Sequence, residues 1–394
     1  MRKNLYFHIF AIFLFYTLGS PIVHAQTITV GAAQIDKYLP LLKDKRVALV
    51  VNQTSRVNQT HLVDTLKTLK VHIKTIFAPE HGFRGTADAG EHVKNEVDAK
   101  TGIALVSLYG DNKKPNPSQL KNIDVILFDI QDVGVRFYTY ISTLHYVMEA
   151  AADQGKTLIV LDRPNPNGHY IAGPVLDTSV IKSFIGMHPV PIVHGMTIGE
   201  YAQMLNGEGW LAKGATCNLT VIPCKDYTHN SVYEPPVKPS PNLPNLRAIY
   251  LYPTLCMFEG TVVSVGRGTS APFQQSGNPY LNGYEYSFVP KSMPGAKSPP
   301  LEGKTCYGID YSQYPTEDFR YVGFDISFII EYYKNYKGSE PFFNNFFKNL
   351  AGNLRLQHQI EEGMPYYEIV ATWQDKIMAF KEIRKKYLLY TDFE

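Results

Sequence analysis

Residues 78–92 read Ala-Pro-Glu-His-Gly-Phe-Arg-Gly-Thr-Ala-Asp-Ala-Gly-Glu-His, so two carboxylates, Glu80 and Glu91, share a glycine-rich loop. The loop follows an apolar run, Val71 to Phe77, with the length and composition of a buried strand. Ligands of open α/β sheets bind just beyond the carboxyl ends of such strands. Two carboxylates at that place suit glycoside hydrolysis, which needs a general acid and a second carboxylate acting as nucleophile or base. Each glutamate also has a structural reading, as the partner of Arg84 in an ion pair or as a helix cap.

The same rule gathers further polar residues after other apolar runs. Asn52, Gln53 and Ser55 follow the first, Glu80 and His81 the second, Asp129, Gln131 and Asp132 the fourth, and Asp162 with Arg163 the fifth. In a parallel sheet these side chains come from different strands yet converge on one rim. Asp129 and Asp132 form the reserve carboxylate pair. The aromatics of Phe137-Tyr138-Thr139-Tyr140 either line a sugar pocket or pack beneath the loop.

Other chemistries find less support. The loop Asn52-Gln53-Thr54-Ser55-Arg56 lacks the Gly-x-Gly-x-x-Gly phosphate cradle, and Gly266-Arg267-Gly268-Thr269 is too short and too late to replace it. His81, His92 and His194 invite a metal, but no His-Glu-x-x-His accompanies them, so no metal or cofactor is expected. A Gly-x-Ser-x-Gly elbow is also missing.

The elements that must position these residues alternate in a βαβ rhythm. Strands are expected at 46–51, 71–77, 103–108, 124–128, 157–161, 190–193 and 219–222, with helices near 60–69, 117–121 and 142–154. Another helix opens at Thr197, where Thr197 and Glu200 fit a capping box. Runs this apolar suit a parallel sheet covered on both faces. The proline-rich stretch from Glu234 to Pro244 marks a domain junction near 225–245. Beyond it, alternating stretches such as Tyr321 to Ile329 suggest mixed α+β structure. A stripe at helical spacing, Trp373, Ile377, Phe380, Ile383 and Tyr387, reads as core packing.

With 394 residues, 44% hydrophobic content and a net charge of +2, the chain is an ordinary globular protein, long enough for two domains. Scattered Lys and Arg residues give no nucleic-acid surface. Arg2 and Lys3 precede an apolar run, Leu5 to Leu18, and Val23-His24-Ala25 fits a secretory cleavage site, so residues 1–25 read as a signal peptide. No later stretch has the roughly 18 to 20 apolar residues of a membrane span. The expected product is exported, periplasmic or extracellular, without a membrane anchor. Cys217, Cys224, Cys256 and Cys306 fit no zinc spacing; a Cys217–Cys224 bridge and buried free thiols are the alternatives.

Taken in order, Glu80-His81-Gly82-Phe83-Arg84-Gly85, Asp129 to Tyr140, Asp162-Arg163-Pro164-Asn165-Pro166, His194-Gly195-Met196-Thr197, Pro239-Ser240-Pro241-Asn242-Leu243-Pro244, Phe258-Glu259-Gly260-Thr261 and Gly266-Arg267-Gly268-Thr269 resemble the exo-β-N-acetylmuramidases, glycoside hydrolase family 171. The resemblance runs from about residue 30 to the end of the sequence. It implies a Rossmann-like, mostly parallel sheet domain over 26–230 and a smaller α+β domain over 231–394, with the active site in the cleft between them. The implied reaction removes terminal N-acetylmuramic acid from the non-reducing ends of peptidoglycan fragments.

Glu80 and Glu91 match the family's catalytic glutamates, Glu80 preferably as general acid and Glu91 as base or nucleophile. Carboxyls about 5–5.5 Å apart would mean retention and about 6.5–9.5 Å inversion, while a substrate-assisted route would lean on Asp129 or Asp132. The candidate substrate-binding set is His81, Arg84, Asn52, Asp129, Asp132, Arg136, Tyr138, Arg163, His194, Glu259 and Arg267. The lactyl carboxylate of muramic acid calls for a cation, and Arg267 or Arg136 is favoured over Arg84 and Arg163. Two rivals are a muramyl-sugar binding protein without turnover and a secreted hydrolase of an amide or ester bond.

Overall fold

The computed structural model describes residues 28–80, 82–83 and 96–394. Its centre is a seven-stranded sheet built from β1 (Arg46–Val51), β4 (His72–Ala78), β5 (Glu96–Val97), β6 (Ala104–Ser107), β7 (Val125–Asp129), β8 (Thr157–Leu161) and β9 (Asn218–Ile222). A two-strand hairpin, β2 (Arg56–Val57) and β3 (Thr60–His61), lies in the loop after β1. The sheet order is β5-β6-β4-β1-β7-β8-β9, all parallel except the short edge strand β5.

The pleat explains why the central strands are apolar at every position. Ala48 and Val50 of β1, Ile126 and Phe128 of β7, and Leu158 and Val160 of β8 join one apolar cluster. Their alternate neighbours Val47, Leu49, Val51, Val125, Leu127, Ile159 and Leu161 join another. Successive side chains point to opposite faces, so a strand buried on both needs hydrophobic residues throughout.

Helices α1 (Leu62–Thr68), α2 (Tyr140–Asp153) and α3 (Ile198–Gly207) belong to this α/β unit. Thr197 and Glu200 form the expected capping box at the start of α3, and Asp162, at the end of β8, accepts bonds from Thr197 Oγ1 (2.7 Å) and Gly199 N (2.8 Å). Val190–Val193 is not a sheet strand: Val193 makes only isolated bridges, to Val135 and Ala172. The segment is buried throughout, so its apolar run reflects burial between loops rather than sheet pairing.

Helix α4 (Leu246–Leu255) leads into a second unit with a three-stranded antiparallel sheet, β10 (Gln275–Asn278), β11 (Tyr286–Phe288) and β12 (Cys306–Asp310), in the order β10-β12-β11. The Tyr321–Ile329 stretch is mainly helical, covering the end of a helix at Thr316–Val322 and the start of α5 (Ser327–Asn335). Helix α6 (Gln374–Arg384) buries Ile377 and Phe380, as the stripe predicts. The larger apolar cluster runs from the parallel sheet through α4 into these helices, so both units share one core.

Residues 384–392 return to the first unit. Tyr390 donates to Asp162 (2.5 Å), Leu389 N to Glu200 (2.9 Å), and Arg384 bonds both the Gly195 carbonyl (2.7 Å) and Asp392. All four cysteines are buried and unpaired.

Candidate active site

A cleft of about 1180 Å³ opens between the two units. The first unit contributes Glu80 after β4, Tyr109 after β6, and Phe137 to Tyr140, which lead into α2. The second contributes Tyr252, Glu259, Arg267, Phe273 and Asn278, with Lys297 and Lys304 from the 290–304 loop and Glu340 from the segment after α5. One wall is backed by a packed aromatic cluster. Tyr138 meets Tyr140 edge-on at 4.9 Å and Tyr252 at 5.8 Å, and Tyr252 meets Phe273 at 5.1 Å. These rings pack on one another and are at most 7% exposed, so they form the firm apolar backing of the wall.

Glu80 is half-buried in the cleft wall. Thr139, the residue preceding α2, donates its hydroxyl to Glu80 Oε2 at 2.9 Å. Tyr109 lines the same part of the cleft, and its hydroxyl pKa is pushed upward by burial first and then by the charge of Glu80. Tyr140 carries a raised pKa as well, from burial and then from Glu80. Its hydroxyl accepts from Asn52 Nδ2 at 3.0 Å, so Asn52 stands one hydrogen bond behind the cleft wall. A carboxylate held this way has few rotamers open to it, which is what proton transfer to a bound leaving group requires.

Across the cleft, Arg267 sits between Gly266 (φ 78°) and Gly268 (φ 80°). A Cβ on Gly268 would lie 2.5 Å from Pro299 Cγ and 2.6 Å from the Lys291 carbonyl, so this left-handed turn against the 290–304 loop demands glycine. Arg267 Nε donates to Glu259 Oε1 at 2.6 Å, and its guanidinium lies 5.0 Å from the Phe273 ring centre. Glu259 Oε2 accepts from the Cys256 thiol at 3.3 Å. Burial, then the charge of Glu259, pushes the Cys256 pKa well up, so that sulfur is a neutral donor and not a nucleophile.

Several predicted contact residues lie behind the wall instead. Asp129 is fully buried and gives both oxygens to Arg163, at 2.6 and 2.9 Å. Arg136 is walled in by the carbonyls of Pro174 (2.8 Å), Val190 (3.0 Å) and Leu350 (2.7 Å). Burial raises the Asp132 pKa to about 7, and its Oδ2 accepts from Gly134 N at 2.7 Å. His194 is fully buried, and burial with the charges of Arg384 and Arg136 pulls its pKa to about 3, which leaves the ring neutral. These corrections share a cause. The crevice between β1 and β7, where the strand order reverses, is filled by the chain's own loops: Ser55 Oγ donates to the Asp129 carbonyl and Gln131 N to Thr54 Oγ1 (3.0 Å). The open cleft is therefore displaced toward the ends of β4 and β6 and the start of α2.

Among the predicted residues the cleft thus brings together Glu80, Tyr138, Glu259 and Arg267. Glu91, His81 and Arg84 lie outside the described residues, as do His92 and the expected signal segment. Sequence reasoning passed over Tyr109 and Thr139 as site residues. Tyr109 follows β6 at the same sheet edge, so the rule that singled out Glu80 also reaches it. Tyr252, Phe273 and Asn278 carry no comparable signal. Among the described residues no three His, Cys, Asp or Glu side chains are grouped to hold a metal ion.

The fold and the cleft define a two-unit α/β protein whose site sets a fixed carboxylate against an aromatic wall, the layout of carbohydrate-active hydrolases. More particularly, the chain belongs to the exo-β-N-acetylmuramidase NamZ family. Residues 47–247 match the profile "Exo-beta-N-acetylmuramidase NamZ, N-terminal" and residues 250–390 its C-terminal counterpart. A protein of Bacillus subtilis (strain 168), peptidoglycan beta-N-acetylmuramidase NamZ, is 36% identical over 99% of this chain and 100% of its own length. Two crystal structures of DUF1343 family proteins from Bacteroides fragilis NCTC 9343 share the fold. The first is 46% identical with TM-score 0.87, covering 93% of this chain and 100% of that one. The second is 27% identical with TM-score 0.75, covering 92% and 99%.

Proposed function

We propose that this protein is an exo-acting glycoside hydrolase that releases terminal N-acetylmuramic acid from the non-reducing ends of peptidoglycan fragments. The observation that carries the reading is Glu80, held by Thr139 in the cleft between the two units. In this reading Glu80 protonates the leaving oxygen. Glu91, five positions before Glu96 in the sequence, is the proposed second carboxylate. Asp129 has no oxygen to spare from Arg163, which weighs against an acetamido-orienting role. Family membership and the named Bacillus subtilis relative support the substrate class.

The protein works after export, in a periplasm or outside the cell. The basic and then apolar run from Arg2 to Leu18 supports this, and among the described residues no helix is long and apolar enough to cross a membrane. Fractionation of cells producing the full chain tests it: mature protein retained in the cytoplasm refutes export.

The activity is tested with an aryl β-N-acetylmuraminide beside the matching glucosaminide. The wild type is expected to release chromophore from the muraminide, and a folded Glu80→Gln variant to lose at least about a thousandfold in kcat, as removal of a required general acid implies. Muramic acid binding without turnover by the wild type would overturn the hydrolase in favour of a binding protein.

A further inference from the structure

The two units treat their arginines differently. Arg136 is fully buried, with its terminal nitrogens on the carbonyls of Pro174, Val190 and Leu350, and Arg163 is buried on both oxygens of Asp129. Arg267 is built into the cleft. Its flanking glycines fix the backbone, Phe273 supports the guanidinium plane, and Glu259 takes Nε alone. Among the described residues, Nη1 and Nη2 form no hydrogen bond with the protein, and the side chain is 19% exposed.

A guanidinium with Nε occupied and both terminal nitrogens open presents a planar pair of donors, and a carboxylate is the ligand whose geometry matches it. Glu259 cannot fill that role, since its Oε1 faces Nε and its Oε2 faces the Cys256 thiol. Lys297 and Lys304, on the outer loop, offer exposed point charges without the same directional demand.

We propose that Arg267 reads the lactyl carboxylate of the terminal N-acetylmuramic acid, Nη1 and Nη2 taking one oxygen each, and that Glu259 is the positioning residue that holds the fork in place. This rests on the muramidase reading and adds to it the residue that separates muramic acid from glucosamine. It also accounts for Gly266-Arg267-Gly268, which no phosphate-binding role explains.

The test compares an aryl muraminide with its lactamide, in which the carboxylate becomes a carboxamide of the same size. The wild type should prefer the acid by roughly 10- to 100-fold in kcat/KM, the range expected of a bidentate charge-assisted contact. Arg267→Lys and Arg267→Gln should lose most of that factor, the acid rate falling far more than the lactamide rate. Glu259→Gln should lower the acid-to-amide ratio by a smaller factor without equal loss on the amide.

Equal losses on both substrates would make Arg267 merely structural, and rates unchanged on both would place the reader elsewhere; either overturns the proposal while the muramidase stands. A wild type that cleaves neither substrate sinks the muramidase reading and this proposal with it. Should a variant fail to fold, calorimetry on the wild type decides: binding N-acetylmuramic acid no better than its lactamide refutes the inference.

Discussion

Asp132 gives the fold a pH dependence large enough to measure. It is 5% exposed, accepts from Gly134 N through Oδ2, and its Oδ1 has no hydrogen-bond partner among the described residues. Burial lifts its pKa from 3.8 to about 7. In the unfolded chain the same group ionises near pH ~3.9. Between these values the folded protein binds a proton that the unfolded chain has released, so the stabilisation is complete below about pH 4 and is lost as pH rises through about 7. Roughly three pH units at ~1.4 kcal/mol each give ~4 kcal/mol. Asn in place of Asp keeps an oxygen for Gly134 N and does not titrate. Urea unfolding of the wild type and Asp132→Asn across about pH 4 to 8 should therefore show the stability gap shifting in favour of the variant by ~2–4 kcal/mol. Parallel stability profiles would refute the reasoning, because they would mean that Asp132 is ionised in the folded protein throughout.

The bond to Glu80 predicts that Thr139→Val lowers muraminide kcat by about tenfold, with KM changed much less, since it removes the hydroxyl that orients the carboxyl group; steady-state kinetics would expose a pure KM effect as contradiction. The buried pair predicts that Asp129→Asn costs ~3–5 kcal/mol by stranding Arg163, whereas Asp129→Leu with Arg163→Met costs far less. Denaturant midpoints of the single and paired variants check this, and equal losses would count against it.

Most of the parallel sheet was legible because its strands are buried on both faces and so print unbroken apolar runs. Val190–Val193 shows where that signal misleads: burial alone produces the run, and pairing must be known to tell a strand from a packed loop. Strand-end polarity located Glu80, but it could not separate side chains facing the cleft from those closing the switch point, where Asp129, Arg163 and Asn52 bond within the protein. The second wall was opaque because it depends on pairing across the chain. Phe273 reaches Tyr252 only after α4 and β10 have docked, and nothing periodic marks that approach.

The return of residues 384–392 to the first unit sets an order on the making of the protein. Asp162 is fully buried at the end of β8, yet its Tyr390 partner lies 228 residues later in the chain. At ~5–20 residues per second the ribosome leaves that carboxylate without its hydroxyl for tens of seconds at ~10 per second. During that interval Glu200 lacks Leu389 N, and the Gly195 carbonyl lacks Arg384. The parallel sheet can collapse early, but the edge beside β8 closes only after both units have been synthesised. Completion of the first unit therefore waits on the last residues of the second.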